Sequence, residues 1–245
     1  MLILLFFAGV CAGVVNALAG GGSFVTLGML IVAGLDPRAA NITSTIALFP
    51  GQVATGYAGR EMAAGAEGLS FRALLFISLV GGVAGALLLL ATPTPFFSGL
   101  VPWLVLFATG VFVWGSFIRR PSGGAPLLGP RAAAAAQLMI AIYGGYFGGG
   151  IGFLMMAVLT IAGQTVRSAA ATKNVLAAAM NASAVVIFVF SRDVHWLPAA
   201  VVRGGAIVGG LVGAQLLTRV NEKWLRIGVV TLGVALTVGL FLRGN

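Results

Sequence analysis

Long apolar runs separated by short polar stretches make up most of this chain. Charged residues make up 8% of the 245 residues, against about 25% in a typical soluble domain. Most of the apolar runs are long enough for a helix to cross a hydrocarbon core of roughly 30 Å. The sequence therefore predicts an all-α, polytopic membrane protein. The apolar segments are 2–19, 23–34, 41–58, 70–91, 100–118, 132–147, 151–162, 172–190, 197–217 and 225–242.

The excess of basic over acidic residues is explained by their role in membrane topology. The formal net charge of +9 would suggest nucleic acid in a soluble protein, but Lys and Arg occur singly or in pairs between apolar segments. Such residues set topology, so we expect a lipid bilayer and no nucleic-acid partner. One cysteine, one histidine and acids confined to loops offer no catalytic or metal-binding set, and we predict no enzyme, metal or cofactor.

The apolar segments divide into two related halves of five. A triple glycine, Gly20-Gly21-Gly22, recurs as Gly148-Gly149-Gly150, each time between a long and a short apolar segment. We predict a first repeat at 1–118, a cytoplasmic linker at 119–131 and a second repeat at 132–245. Each repeat has a glycine-broken pair of short or re-entrant helices plus three full transmembrane helices.

Loop charges predict how the repeats are oriented. With the linker in the cytoplasm, ten Lys and Arg residues fall on that side and four on the other, as the positive-inside rule requires. Both termini are then outside. Because each half has an odd number of crossings, the repeats are inverted, which places the matching residues Arg38 and Arg167 at opposite faces.

The glycine breaks predict a binding site. The start of a helix carries free N–H groups and a positive dipole, and so binds anions. Two inverted copies would direct two such helix starts, near Ser23 and Ile151, at one place. The alternative is that these glycines form only hairpins or packing contacts, as we expect for Gly81 and Gly85.

Matching polar residues extend this site. Gln52 and Asn181 align at a shift of 129 residues, and each is expected near mid-membrane; Pro50 should free backbone carbonyls close by. Interhelical hydrogen bonding is the alternative role for these side chains. Lys173 is either a topology charge or a charge that attracts anions. Predicted substrate-binding residues are Asn16, Gly20, Gly21, Gly22, Ser23, Thr43, Gln52, Gly148, Gly149, Gly150, Ile151, Thr172, Lys173, Asn174 and Asn181.

The motifs resemble a known family. The stretch Asn16-Ala17-Leu18-Ala19-Gly20-Gly21-Gly22-Ser23 and its repeat, Gly144 to Gly152, are similar in order and duplication to the TauE/SafE family of sulfite-exporter-like permeases. The second copy lacks an equivalent of Asn16. The resemblance implies a transporter of small sulfur-containing anions such as sulfite, sulfonates or sulfoacetate, in the cytoplasmic membrane of a prokaryote.

Direction and ion coupling are inferred from charge. Asp36, Glu61, Glu67, Asp193 and Glu222 are the only acids, and none lies within an apolar segment. A negative cell interior drives anions outward, so we expect export without ion coupling. The alternatives are another small anion, a neutral or cationic solute, or a membrane assembly protein that transports nothing; a homodimer is left open.

Overall fold

The computed structural model describes residues 1–19, 21–66, 68–117, 128–216 and 222–243. Within these ranges each predicted apolar segment forms a helix, which confirms the all-α membrane fold. Of the described helices, Phe71–Ala91, the Thr94–Trp114 part of the next helix, and Val166–Phe188 are long and apolar enough to cross a membrane unaided. The helices are α1 Leu2–Ala19, α2 Gly22–Val32, α3 Pro37–Gly59, α4 Phe71–Ala91, α5 Thr94–Phe117, α6 Pro130–Tyr146, α7 Ile151–Ile161, α8 Val166–Phe188, α9 Trp196–Leu216 and α10 Glu222–Arg243.

Several helices begin earlier than their apolar runs. Helix α3 begins at Pro37 because the Asp36 carboxylate accepts hydrogen bonds from the N–H groups of Arg38 and Ala39, at 3.0 and 3.1 Å. Helix α8 begins at Val166, where the Thr165 hydroxyl accepts from the Ser168 N–H. The first turn of each helix contains an arginine, Arg38 or Arg167, which interrupts the apolar pattern, so the predicted starts at 41 and 172 are wrong.

Smaller corrections concern three other helix starts. Helix α5 begins at Thr94 rather than at 100, and it continues through Pro102. Helix α6 begins at Pro130, inside the predicted linker; most of that linker lies outside the described residues. Helix α10 begins at Glu222, so this acid is at a helix start rather than in a loop.

The long helices α3 and α8 pack side by side and run antiparallel. Gly56 of α3 lies against Asn174 and Ala178 of α8, and Gly59 lies against Ala171. We call the end of the bundle at which α3 begins the α3 end, and the opposite end, at which α8 begins, the α8 end. This central pair places Gln52 and Asn181 at similar depth, fifteen residues after the first residue of each helix.

The first helix runs parallel to α9. Gly9 lies against Val202 and Ala206, and Gly13 lies against Ala206 and Gly210. Since α9 begins at the α3 end, α1 begins there too. Helix α2 folds back along α1, and its first residue packs closely on that helix. A Cβ at Gly22 would meet the carbonyl oxygen of Ala12 and lie 3.0 Å from Asn16 Cβ. The pair α1–α2 is therefore a hairpin that returns to the α3 end.

A second hairpin enters from the opposite end. Helix α6 runs parallel to α4, since Gly81 lies against Ala141 and Gly85 lies against Tyr146. Because α4 begins at the α8 end, so does α6, and α7 leads back to α8 at that end. The predicted packing role of Gly81 and Gly85 fits these contacts.

The two halves form equivalent helix pairs. Helix α6 corresponds to α1 and α4 to α9, so the packing of α1 on α9 in one half corresponds to the packing of α6 on α4 in the other. The ends of the two short helices also match: Leu35 N–H donates to Leu30 O after α2, and Gln164 N–H donates to Leu159 O after α7. Gly34 and Gly163, between them, have φ of +98° and +94°, the left-handed conformation that favours glycine. The inversion of these repeats across a membrane stays a prediction.

Candidate functional site

A cavity lies where the two hairpins meet α3 and α8. Helix α2 contributes Ser23 and Phe24 from its first turn, together with Leu27. The break between α6 and α7 contributes Phe147, Gly148 and Gly149. Both glycine-broken hairpins therefore reach one cavity. The remaining lining residues are Asn41, Ser44, Thr45, Leu48 and Gln52 of α3 and Asn181 of α8.

The second glycine break is shaped to bring backbone close to the cavity. Gly148 and Gly150 have φ of +80° and +75°, values that side-chain-bearing residues rarely adopt. Gly149 lies between two aromatic rings: a Cβ there would be 2.7 Å from Phe147 Cε1 and 3.0 Å from Phe24 Cε1. Any larger residue at Gly149 must displace these rings.

The α3 wall is one continuous helix face. Its lining residues fall at intervals of three and four, from Asn41 to Gln52, which places them on one stripe. Asn41 Nδ2 donates to the last carbonyl of α6, Tyr146 O, at 3.1 Å. Ser44 Oγ lies 2.5 Å from Thr26 Oγ1 of α2. These two polar residues therefore join α3 to both hairpins.

Two side-chain amides line the cavity. Asn181 is 2% exposed, and its side chain forms no hydrogen bond with the described part of the chain. Gln52 Oε1 is buried without a partner. A buried acceptor without a donor is costly, so Gln52 Oε1 is a candidate to accept a hydrogen bond from a solute or water, and Asn181 offers a second amide in the same cavity.

The described cavity walls are uncharged. They present amides, hydroxyls and backbone groups beside the apolar side chains of Phe24, Leu27, Leu48 and Phe147, and no Lys, Arg, Asp or Glu among the described residues lines the cavity. Its volume is about 20 Å³, enough for a water molecule. A sulfur oxyanion is larger, so the walls must separate to admit one.

The structure brings together only part of the predicted site. Ser23, Gln52, Gly148, Gly149 and Asn181 line the cavity. Helical spacing from Gln52 would have identified the further lining residues on α3. The lining residues absent from the prediction are Phe24, Leu27, Asn41, Ser44, Thr45, Leu48 and Phe147. Gly20 lies outside the described residues. The predicted residues that do not line the cavity are Asn16, Gly21, Gly22, Thr43, Gly150, Ile151, Thr172, Lys173 and Asn174.

Several of these other residues have structural contacts. Helix α2 begins at Gly22, one residue before the predicted Ser23. Gly22 packs against Ala12. Gly150 packs against Ala108 of α5. Ile151 is 6% exposed and belongs to an apolar cluster. These contacts make packing a sufficient role for the three.

Two matching threonines hold opposite ends of the bundle. Thr43 Oγ1 accepts from the His195 N–H at 3.2 Å, in the loop before α9. Thr172 Oγ1 accepts from the Ala64 N–H at 2.9 Å, in the loop before α4. Each threonine thus binds a loop of the other half. Both side chains contact loop backbone, and neither threonine lines the cavity.

The charged residues that the structure describes lie outside the cavity. At the α3 end, Arg38 forms an ion pair with Asp193, with 2.8 Å between Nη2 and Oδ2, and donates to Thr92 O at 2.8 Å. Arg203 Nη2 donates to Ile46 O at 3.3 Å. Both arginines therefore join elements of the two halves.

Two broken hairpins that enter from opposite ends and meet at an uncharged cavity make up the architecture of a membrane transporter. Comparisons with known proteins agree. The profile of the family described as "Sulfite exporter TauE/SafE" matches residues 5–240. The chain belongs to this family, as the resemblance predicted.

Curated relatives are similar over nearly their whole length. The chain is 26% identical to "Probable membrane transporter protein" of Haemophilus influenzae, covering 97% of this chain and 93% of that one. It is 25% identical to "Probable membrane transporter protein YfcA" of Escherichia coli, covering 98% and 89%. It is 28% identical to "Probable membrane transporter protein ORF9" of a Sinorhizobium species, covering 98% and 92%. No solved structure matches the chain. These names are those of transporters, in agreement with the prediction that the chain is not an enzyme.

Proposed function

We propose that this permease moves small sulfur-containing anions, such as sulfite, sulfonates or sulfoacetate, out of the cell across the cytoplasmic membrane of a prokaryote. The family description supports the substrate class. The observation that carries the proposal is that two side-chain amides, Gln52 and Asn181, line one cavity that both glycine breaks reach.

Once its walls separate, the cavity offers an anion hydrogen-bond donors without a fixed positive charge. Amide N–H groups donate to an oxyanion, and the first turn of α2, which contains Ser23, and the glycine break before α7 add polarised backbone donors. Burying an anion is costly unless it is hydrogen-bonded. A site made of neutral donors meets this requirement and still releases the anion.

Reconstitution into liposomes tests the substrate class. Vesicles loaded with radiolabelled sulfite should release it only when they contain the protein, and the reversal potential should follow the sulfite gradient. Protein-free vesicles are the control. A reversal potential that follows a cation gradient, or release of a neutral polar solute in place of sulfite, would contradict the proposal. The second outcome would favour a neutral solute, which uncharged amides also bind.

A further inference from the structure

The face of α8 that corresponds to the α3 cavity wall carries a lysine. A shift of 129 residues moves Ser44 onto Lys173, Thr45 onto Asn174 and Gln52 onto Asn181. These positions on α8 repeat the helical spacing of the α3 stripe. We call Ala170, Lys173, Asn174, Ala177 and Asn181 the α8 face.

The two helices occupy equivalent places in the fold. Each is the central helix of its half, and each follows a short helix that ends in the same backbone turn. Thr43 and Thr172, which match at the same shift, bind loops of the opposite half. If α3 lines the pathway from the α3 end, the α8 face is the corresponding wall from the α8 end.

Lys173 lies beside the start of α7. A Cβ at Gly152 would be 3.5 Å from Lys173 Nζ, and Nζ is 5.9 Å from the Phe153 ring centroid. No acidic side chain of the described residues pairs with it. A cation beside the positive end of a helix is unfavourable, and a bound anion would relieve both charges.

Residues along the α8 face remain partly accessible. Lys173, Asn174 and Ala177 are half-buried, whereas Asn41 and Ser44 of the α3 stripe are buried. Asn181 is the last residue of the α8 face and also lines the central cavity. The α8 face thus extends along the helix from Ala170, near the α8 end, to the cavity-lining Asn181.

We infer that the α8 face is the second half of the anion pathway, and that Lys173 attracts anions into it from the α8 end. This inference rests on the proposed function for its anionic substrate. The matching residue on α3 is the neutral Ser44, so the two halves of the pathway differ in charge. Anions are then held more strongly on the α8 side of the cavity.

Thiol modification tests this without any knowledge of the substrate. In a Cys11→Ser background, Asn174→Cys and Ala177→Cys should react with membrane-impermeant methanethiosulfonates applied at the α8 end. Val186→Cys, on the same helix and 64% exposed on the bundle surface, should not react because lipid covers it. Failure of both pathway cysteines to react would overturn the inference.

Charge is tested with two reagents of opposite sign. At Asn174→Cys, Lys173→Ser should lower the ratio of the sulfonate rate to the trimethylammonium rate by about tenfold, since a nearby charge acts oppositely on the two. Lys173→Arg should keep the ratio. Arg167→Ser, which removes an exposed base near the start of α8, is the matched control and should leave it unchanged. If Lys173→Ser leaves the ratio of the two rates unchanged, Lys173 does not attract anions.

The outcomes separate this inference from the proposed function. Reactive, charge-sensitive cysteines together with absent sulfite flux would support the pathway and contradict the substrate. Sulfite flux with unreactive cysteines would support the substrate and contradict the pathway.

Discussion

Arg203 of α9 donates a hydrogen bond to the carbonyl oxygen of Ile46, the group that Pro50 leaves without its partner in α3. The distance from Nη2 to the oxygen is 3.3 Å. In an α-helix the N–H of residue 50 would donate to the carbonyl of residue 46, but proline has no N–H. An intramembrane arginine thus has a structural role here, and α3 remains helical through Pro50.

A double-mutant cycle tests this relationship. Arg203→Met should lower the free energy of unfolding by about 1–3 kcal/mol, because it leaves a buried carbonyl unsatisfied. In a Pro50→Ala background the restored N–H donates to Ile46 O, so the same change should cost less. Thermal unfolding in detergent measures both, with the exposed Arg192→Met as control. An equal cost in the two backgrounds would show that Arg203 acts elsewhere.

Labelling at the ends of α3 and α8 tests the predicted topology. In a Cys11→Ser background, Arg60→Cys should react only from the cytoplasm and Arg192→Cys only from outside. The charge bias predicts that the α8 end faces the cytoplasm and the α3 end faces outward. Arg167→Cys should behave like Arg60→Cys because both lie at the α8 end. Reaction of Arg60→Cys and Arg192→Cys from the same side would refute the inverted arrangement.

Transport should follow the membrane potential alone. Among the described acids, Asp36 caps α3, Asp193 pairs with Arg38, and Glu61 is exposed beside Arg60. None of them is available inside the bundle to carry a proton or bind sodium. The potential supplies roughly 2.3 kcal/mol per charge per 100 mV. Sulfite efflux from vesicles should therefore persist when pH and sodium gradients are collapsed, and strict dependence on either would contradict this.

Gly149 should matter for transport more than for folding. Gly149→Ala displaces the rings of Phe147 and Phe24, which are side chains and can move. We expect sulfite flux to fall by about tenfold, or about 1.4 kcal/mol, with little loss of stability. Gly110→Ala is the matched control, because a Cβ there would meet nothing within 4 Å.

A packing glycine should show the reverse pattern. A Cβ at Gly145 would fall on the backbone carbonyl of Gly82, which cannot move without separating α4 from α6. Gly145→Ala should therefore lower the yield of folded protein. Normal folding of Gly145→Ala, or a well-folded Gly149→Ala that transports normally, would show that these roles are assigned incorrectly.

The helices could be predicted from sequence because apolar runs of membrane length have few alternative structures. Their starts could not, since an arginine interrupts the apolar pattern in the first turn after each cap, Asp36 and Thr165. Part of the site was predictable for a related reason: Gln52 and Asn181 are amides at matching depth in apolar segments. Arg203 was not, because its partner carbonyl becomes apparent only when α9 is packed against α3.

The most direct test of the central claim compares sulfite affinity in Gln52→Leu, Asn181→Leu and Gln137→Leu. Gln137 is also a buried amide whose Oε1 has no partner, but it lies between α4 and α6, outside the cavity, where its Nε2 donates to Ser78 Oγ at 2.9 Å. Loss of a hydrogen bond to a charged ligand costs about 1–3 kcal/mol. The KM for sulfite efflux from proteoliposomes should therefore rise about 5-fold to 150-fold in each cavity variant and stay unchanged in Gln137→Leu. Unchanged KM values in folded Gln52→Leu and Asn181→Leu would contradict the account.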